Sequence, residues 1–321
     1  MLTAALGLAA LLLAACGSED NPALDAGATP PTAPAPETGT FPVEVTTAGG
    51  SFTMTARPVR IVSLSPTATE MLFAIGAGPQ VVAVDDQSNF PTSAPVTDLS
   101  GFTPNLEAVA GYQPDLVVVS DGGKGLVEGL GKLKIPTAVL PAAVKLDDSY
   151  AQIEQLGVAT GQVGDAAALV TQMQTDIAAL VASAPKRAVP LTYYHELDDT
   201  FFSVTSKTFI GAVYTAAGLR NIADSATGAA GDYPQLSSEA IVQASPDLIF
   251  LADTKCCKQT AETVAARPGW STIAAVRNAG VVPLDDDVAS RWGPRVVDLL
   301  RQVMAVVVKA VPQPAGVGAT G

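Results

Sequence analysis

The sequence predicts an α/β protein of two similar lobes, each with a parallel sheet, that are joined by one long helix. The helix is predicted over residues 163–184, where apolar residues recur at the spacing of one helical face and Pro185 closes the run. The chain repeats itself on either side of this helix, and predicted strands alternate with predicted helices in both halves. Because strands separated by helices pair in parallel, this alternation favours a parallel sheet in each lobe.

The two halves share a repeat with a constant offset of 132 residues. Each copy reads as a short helix that opens with a glutamate, a Pro-Asp break, a wholly apolar strand, and an aspartate at the strand end. Glu239 lies 132 residues after Glu107, and Asp253 lies 132 residues after Asp121. Chance explains one such match but hardly all of them at a single offset, so we expect two lobes of the same architecture.

Length and composition leave room for two folded domains and argue against several classes of protein. The chain has 321 residues, of which 48% are hydrophobic and 15% charged, so it can fill buried cores. Its net charge is −13, and its lysines and arginines form no cluster. A protein that binds nucleic acid needs such a cluster for the phosphates, so we expect no nucleic-acid partner.

The first forty residues predict an exported lipoprotein. Residues 1–15 are almost entirely Ala, Leu and Gly, a segment too short for a permanent membrane span but typical of a signal peptide. The small residues before Cys16 resemble the lipobox of bacterial lipoproteins, in which the cysteine is lipidated. Residues 16–40 are rich in Pro, Ala and Thr and predict a disordered tether, which leaves the folded part on the outer face of the cytoplasmic membrane. A buried N-terminal helix is the alternative.

Two adjacent cysteines, Cys256 and Cys257, follow the repeated strand of the second half. In an oxidising compartment they can close a vicinal disulfide, although neighbouring Cα atoms about 3.8 Å apart are closer than ordinary disulfides prefer. Two free thiols in a loop are an equal alternative, and a soft-metal site is a third that is short of ligands.

The first lobe is predicted over residues 41–160, and its helix after the first parallel strand carries the clearest local signal. Ser65 or Thr67 can cap that helix, with Glu70 in its first turn. The predicted elements of the lobe are a hairpin at 41–55, strands at 60–64, 81–84, 116–119 and 137–140, and helices that follow Ser65, open with Glu107 and end near Lys132.

The linking helix is assigned to residues 161–184 and the second lobe to residues 185–312. The second lobe follows the same plan, and its last helix is amphipathic. Its predicted elements are strands at 189–195, 248–251 and 281–284, and helices at 209–217, after Ser238, at 261–266 and at 294–309.

A ligand site is expected between the lobes. In open parallel sheets ligands bind beyond the carboxyl ends of the strands, and two facing lobes would enclose those ends as a cleft. The segments that follow the predicted strands are residues 85–90, 120–124, 196–202, 253–257 and 285–291.

Three stretches of the chain resemble one known family. They are residues 60–70 (RIVSLSPTATE), the helix of Glu107 with its Pro-Asp break, and residues 290–295 (SRWGPR). Together they are similar to the substrate-binding proteins of ABC importers for ferric siderophores, haem and cobalamin, and the likeness extends over residues 41–311. It implies two Rossmann-like lobes bridged by a rigid helix, with a metal chelate held between them as cargo. We therefore expect no catalytic residues and no resident metal or cofactor.

The resemblance also implies a membrane partner. In that family a glutamate on the rim of each lobe contacts arginines of the permease, and Glu107 and Glu239 occupy those positions. Two identical carboxylates on equivalent surfaces suit an ABC permease dimer, which works with its ATPase subunits, and the binding protein itself is expected to be a monomer. The alternative is that both glutamates only stabilise helix N-termini, worth about 0.3–1 kcal/mol each.

The resemblance implies the ligand-binding residues as well. Tyr233 falls where cobalamin binders cover the corrin with an aromatic ring, Phe202 lies near another such ring, and Asp287 and Arg291 fall on a polar pair. The first lobe departs from that pattern, since polar residues stand where cobalamin binders tend to be aromatic. The predicted ligand-binding residues are Gln87, Ser120, Phe202, Tyr233, Asp287, Arg291 and Trp292.

Alternatives remain at the arginines, at Tyr233 and at the single histidine. Arg291 and Arg295 also suit the carboxylate or hydroxamate oxygens of a ferric siderophore, but Arg295 can instead pair with a carboxylate beneath the cleft. Tyr233 can simply close a turn. His195 can serve as an axial ligand for haem, although a histidine at a strand end is more often structural.

Two other classes of protein compete with an importer. A two-lobed metal-dependent enzyme is one, in which Asp85-Asp86 and Asp285-Asp286-Asp287 could hold Mg or Ca, but the chain contains no G-x-S-x-G elbow, no P-loop and no CxxC motif. An adhesive or sensory lipoprotein with the same fold is the other. Loss of uptake with ligand affinity intact, when both rim glutamates are replaced, would favour import.

Overall fold

The computed structural model describes residues 39–310, except 122, 124 and 227–230. The predicted signal peptide, Cys16 and nearly all of the predicted tether lie outside these residues. No helix within the described part of the chain combines the length and apolar character needed to cross a membrane.

The described residues form ten strands and eleven α-helices, besides three short 3-10 turns. The strands are β1 Val43–Thr47, β2 Gly50–Met54, β3 Ile61–Leu64, β4 Val81–Val84, β5 Leu116–Val119, β6 Thr137–Val139, β7 Thr192–Glu196, β8 Arg220–Asn221, β9 Leu248–Leu251 and β10 Val281–Pro283. The helices are α1 Pro66–Ala74, α2 Leu106–Gly111, α3 Leu126–Lys132, α4 Leu146–Thr160, α5 Val163–Ala182, α6 Phe209–Ala216, α7 Ser238–Ala244, α8 Ala261–Ala265, α9 Ala274–Arg277, α10 Asp286–Ser290 and α11 Val296–Lys309.

The predicted fold class is confirmed, because the chain forms two parallel four-stranded sheets of the same topology. The first sheet has the order β4-β3-β5-β6 and the second the order β8-β7-β9-β10, so in each lobe the second strand lies outside the first. All pairs within these sheets are parallel. Strands β3, β5 and β9 are buried at every residue, as their uninterrupted apolar sequences predict for a sheet covered on both faces.

The Pro-Asp break of the repeat has the same task in both lobes. Asp115 accepts backbone hydrogen bonds from Val59 (2.8 Å) and Arg60 (3.0 Å), just before β3. Asp247 accepts bonds from the backbone N–H of Thr192 (2.8 Å) and from its hydroxyl (2.9 Å), at the start of β7. Asp115 therefore joins β5 to β3, and Asp247 joins β9 to β7.

Helix α5 is the long helix that the apolar spacing predicts, and it ends at Ala182 instead of Ala184. Val170, Met173 and Ile177 form its buried face. Helix α4, which the sequence analysis did not identify, packs against α5 and the β1–β2 hairpin. The two helices approach so closely that a Cβ at Gly157 would lie 2.5 Å from the Cβ of Ala166.

Local expectations are confirmed at most helix ends and wrong at a few. Ser65 caps α1 by accepting a hydrogen bond from Ala68, as one of the two predicted alternatives requires. Glu70 was expected in the first turn, but it lies in the second and its side chain is 1% exposed. Strand β7 begins at Thr192 instead of residue 189, and the short helices α9 and α10 were not predicted.

Candidate functional site

Segments at the carboxyl ends of β4 and β10 meet, and Arg291 joins them. One Nη atom of Arg291 donates to the Asn89 side-chain oxygen at 3.0 Å. The other donates to the Gln87 backbone carbonyl at 2.9 Å and to the Asp287 carboxylate at 2.7 Å. Residues from both lobes thus form one polar surface, which we call the cleft floor and define as Asn89, Lys255, Asp287 and Arg291.

Asp287 is the most connected acceptor of the cleft floor. It accepts hydrogen bonds from Lys255 at 2.7 Å and from the Asn89 side chain at 3.0 Å, in addition to Arg291. Burial by itself raises the pKa of the Asp287 carboxyl, but the bonds from Lys255 and Asn89 and the charge of Arg291 outweigh it and lower the pKa. Asp287 is therefore ionised at neutral pH.

Beneath the cleft floor, Glu70 of α1 pairs with Arg291 and Arg295 of the second lobe. It accepts from Arg291 Nη1 at 2.8 Å and from Arg295 Nε at 2.9 Å, and a third bond comes from Arg295 Nη2. Of the two alternatives for Arg295, the pairing with a carboxylate beneath the cleft is the one observed. The Arg295 guanidinium also lies 4.3 Å from the centre of the Phe90 ring.

Residues 291–295, which we call the interlobe segment, lie against the first lobe. The indole N–H of Trp292 donates to the Gln152 side chain of α4 at 2.8 Å, and the Trp292 carbonyl accepts from Ser149 of the same helix. The Trp292 ring is half-buried and packs against the main core. Trp292 therefore connects the lobes.

The other predicted ligand-binding residues are at least partly exposed. Gln87 is exposed, and Ser120 is half-buried directly after β5. An isolated bridge pairs Phe202 with Gln235, which brings the segments of Phe202 and Tyr233 together. The two rings are 36% and 51% exposed, so each offers uncovered aromatic surface.

Glu107 and Glu239 occupy equivalent positions in the structure as they do in the repeat. Each lies exposed in the first turn of a short helix, α2 or α7. The helices are capped alike, by the side chains of Asn105 and Ser237. The two lobes thus present the same carboxylate on matching surfaces.

The adjacent cysteines lie in the loop after β9 as two unbonded thiols. Asp286 holds this loop by accepting bonds from the backbone N–H groups of Thr254 (2.9 Å), Lys255 (2.9 Å) and Cys256 (3.1 Å). Burial and a hydrogen bond with Cys257 raise the pKa of the Cys256 thiol to about 12. The vicinal disulfide stays a prediction.

A buried charged cluster that no sequence pattern indicated lies at the ends of β7 and β9. Arg267 donates two hydrogen bonds to Glu196, at 2.7 and 2.6 Å, and the Glu196 side chain is fully buried. Asp253 is buried beside them, and within the described residues neither of its carboxylate oxygens has a hydrogen-bond partner. Burial and the charge of Glu196 raise the pKa of Asp253 to about 7, so this carboxyl binds a proton far more readily than an exposed aspartate does.

His195 lies in the core of the second lobe, away from the cleft floor. Its Nδ1 forms a 2.8 Å hydrogen bond with the Tyr214 hydroxyl, and burial lowers the pKa of the imidazole to about 3. Within the described residues, no three His, Cys, Asp or Glu side chains gather in an arrangement suited to a metal ion.

Two cavities flank this architecture. One of about 330 Å³ borders the Glu70–Arg295 pair and is lined by Glu70, Phe73, Ala74, Phe90, Pro91, Ser93, Pro294 and Arg295. Another, of about 660 Å³, lies at the amino ends of β9 and β10, against the last turns of α11. In parallel sheets the carboxyl edge is the functional one, so the larger cavity is not the candidate site.

Some residues of the site have no conspicuous sequence signal. Asn89 and Lys255 lie in segments that the strand pattern singled out, but nothing distinguished them from their neighbours. Glu70 had a weak signal, because it directly precedes Met71 and Leu72 in an apolar helix, and all three side chains are buried.

Comparison with known proteins identifies the family. The family described as periplasmic binding protein matches residues 61–288. A Bacillus subtilis protein named as an uncharacterized ABC transporter substrate-binding lipoprotein is 30% identical over 309 residues, 92% of each chain. A cobalamin-binding protein of Halobacterium salinarum is 30% identical over 268 residues, which cover 80% of this chain and 72% of the relative.

A solved structure agrees with the fold. The periplasmic heme-binding protein of Roseiflexus in its apo form has a TM-score of 0.71 at 24% sequence identity, over 79% of this chain and 99% of that one. At this identity the likeness concerns the fold alone. The evidence for family membership comes from the family match and from the two relatives. The chain therefore belongs to the periplasmic binding protein family, whose members bind solutes and are not enzymes.

Proposed function

We propose that this protein is an extracytoplasmic solute-binding lipoprotein, which captures a metal chelate between its lobes and delivers it to an ABC permease. The chelate is a ferric siderophore or a cobalamin-type corrinoid. The single observation that carries the proposal is the meeting of strand ends from two like sheets at one polar cleft floor. The names of the Bacillus and Halobacterium relatives support the same class of function.

The ligand would contact both polar and aromatic groups. Asp287 and Arg291 offer acceptors and donors at the cleft floor, and the exposed rings of Phe202 and Tyr233 suit the flat face of a macrocycle. Gln87 and Ser120 would add polar contacts from the first lobe, and Trp292 lies next to Arg291. These assignments rest on position and exposure.

Haem is the second candidate ligand, and the heme-binding protein with the same fold motivates it. The buried ring of His195 makes it a poor axial ligand, so the iron would need another residue, such as a tyrosine. An axial tyrosine gives an absorption spectrum distinct from that of free haemin, which makes this candidate directly testable.

Delivery would use Glu107 and Glu239, whose exposed and equivalent positions fit a permease of two like subunits driven by its ATPases. Lipidation of Cys16 would hold the protein at the outer face of the cytoplasmic membrane. The binding protein would act as a monomer, because its two rim glutamates already match the two halves of the permease.

Ligand capture can be tested by titrating the full mature chain with cyanocobalamin, haemin and ferrichrome. Quenching of Trp270 and Trp292 would be followed against a control for absorption by the ligand. We expect saturable quenching by at least one chelate with a Kd of about 1 μM or lower, equivalent to about 8 kcal/mol. Flat curves with all three would contradict the proposed ligand class.

Delivery can be tested with the Glu107→Ala and Glu239→Ala double substitution. We expect uptake of the labelled chelate to be lost while its affinity stays unchanged, because both carboxylates face the permease and neither lies on the cleft floor. The exposed Glu44 of the hairpin supplies the control Glu44→Ala, which should leave both quantities unchanged. Normal uptake by the double variant would contradict the docking role.

A further inference from the structure

Glu70 is a buried carboxylate to which the proposed ligand binding and permease docking assign no role. It comes from the first lobe and pairs with two arginines of the second. We propose that Glu70 determines the charge selectivity of the cleft: by pairing with Arg291 and Arg295 and offsetting one of their two positive charges, it restricts the cargo to chelates without net negative charge. This inference rests on the proposed function and names the class of substrate.

The burial of Glu70 leaves its carboxylate no alternative partner in water. Its side chain is 1% exposed, and both oxygens accept bonds from the arginines. Removing one member of a buried ion pair leaves an uncompensated charge, so the arginines are held in place as firmly as the glutamate. The pairing is therefore a fixed property of the site.

Arg291 has no Nη hydrogen left for an anionic ligand. Its four Nη bonds go to Glu70, Asn89, the Gln87 carbonyl and Asp287. A carboxylate or hydroxamate oxygen of a ligand would have to displace one of these acceptors to bind either Nη atom, and only the single Nε–H lies outside these four bonds. A neutral ligand can instead approach Asp287 and Arg291 as an existing donor–acceptor pair.

Lys255, the lysine of the cleft floor, is likewise paired with carboxylates. Lys255 lies 2.8 Å from Asp285 and 2.7 Å from Asp287. Counting Arg291, Arg295 and Lys255 against Glu70, Asp285 and Asp287 gives equal numbers of positive and negative groups. Asp286, which holds the cysteine loop, adds a further carboxylate beside them.

The exposed side chains that surround the cleft floor add negative charge to this balance. Among exposed side chains of the described segments that follow the strands, Asp86, Asp121 and Asp199 are acidic, and Lys255, already paired with Asp285 and Asp287, is basic. A cleft lined by one sign of charge lowers the local concentration of ions of the same sign. Anionic chelates are therefore disfavoured on approach as well as on binding.

The test is a charge series on constant chelate frameworks, measured with the full mature chain by tryptophan quenching. Ferrioxamine B is cationic, its N-acetyl derivative is neutral, and its N-succinyl derivative carries a carboxylate. Cyanocobalamin and its monocarboxylic acid form a neutral and anionic pair, and haemin supplies two propionates. We expect each anionic member to bind at least about 10-fold more weakly than its neutral counterpart.

The variant Glu70→Gln should narrow that difference to about 3-fold or less, because it leaves the arginines with unbalanced positive charge while keeping the shape of the side chain. Glu70→Asp keeps the charge and should keep the selectivity. A merely structural role would instead weaken all members of a series equally in Glu70→Gln. Far-ultraviolet circular dichroism and Tm would check the fold, and the wild-type series tests the proposal even without the variants.

The outcomes separate this inference from the proposed function. Equal or tighter binding of an anionic member, or of haemin alone, would overturn the charge selectivity and leave the binding function in place. Unchanged selectivity in a folded Glu70→Gln protein would overturn the role of Glu70. Saturable binding of none of the probes would overturn the proposed function and this inference together.

Discussion

The two lobes share a topology but differ in what they place at the ends of their central strands. The first strand of the first lobe ends in Leu64, and the residue 132 positions later is Glu196. The aspartate after the third strand is exposed at Asp121 and fully buried at Asp253. The repeat thus preserves the strands and the Pro-Asp break, while the chemistry at the strand ends is free to diverge.

The second lobe consequently contains a charged cluster that has no counterpart at the matching positions in the described part of the first lobe. Glu196 and Asp253 together would carry two negative charges against the single positive charge of Arg267. A buried imbalance of this kind is costly, and a proton on Asp253 removes it. The same backbone plan therefore gives lobes with different responses to mutation and to pH.

The largest expected effect of this difference is on Arg267. We expect Arg267→Met to lower the free energy of unfolding by about 3–5 kcal/mol, because Glu196 would be left buried without its partner. Urea denaturation measures the change. In the first lobe, Lys132→Met removes an ion pair to Glu128 in which both side chains are 74% exposed, and it should cost about 0.5 kcal/mol or less. Equal losses in the free energy of unfolding for Arg267→Met and Lys132→Met would contradict the proposed difference between the lobes.

The second effect is a pH dependence whose larger source is Asp253 of the second lobe; burial also raises the pKa of Asp85 in the first lobe. The pKa of Asp253 is about 7 in the folded protein, against about 3.9 when unfolded, so between these values the folded state binds more protons. Stability should therefore fall as pH rises, by on the order of 2 kcal/mol between pH 5 and 8. The variant Asp253→Asn should remove this loss, since an amide does not ionise in this pH range.

Urea denaturation of the wild type and of Asp253→Asn at pH 5 and pH 8 measures this effect. The repeat supplies a matched control in Asp121→Asn, which replaces the exposed counterpart and should leave the pH dependence as it is. An Asp253→Asn protein with the wild-type slope would refute the assignment of the proton.

The smallest effect concerns the feature that the lobes share. We expect Asp115→Ala and Asp247→Ala each to lower the free energy of unfolding by roughly 1–2 kcal/mol, because each removes two hydrogen bonds that join the first and third strands. The two values should agree within about 1 kcal/mol. A large effect in one lobe and none in the other would show that the repeat does not preserve the function of this aspartate.

Several elements could be predicted from the sequence because their signals are local. Strands β5 and β9 were found at their observed bounds, since uninterrupted apolar runs between turn residues define a buried strand. Helix α5 was found from its apolar spacing and its closing proline. Helix α4 was not predicted although it is well formed, because its polar first turn gives a weak apolar signal.

The candidate site was harder to predict from the sequence than the fold. Arg291 and Asp287 were singled out, and they do lie where strand ends from both lobes meet. The roles of Glu70 and Asn89 were not predicted, because a side chain that faces a distant segment gives no periodic signal. Glu196, Asp253 and Arg267 were missed as a cluster for the same reason.

By itself, the sequence determined that this is a two-lobed α/β protein with repeated parallel sheets, because apolar patterning, prolines and helix caps act over a few residues. It also carried the stretches that mark the family. Only the tertiary structure decided which charges neutralise one another. The pair of Arg291 and Glu70 joins residues 221 positions apart, and such a contact exists only once both lobes have folded and met.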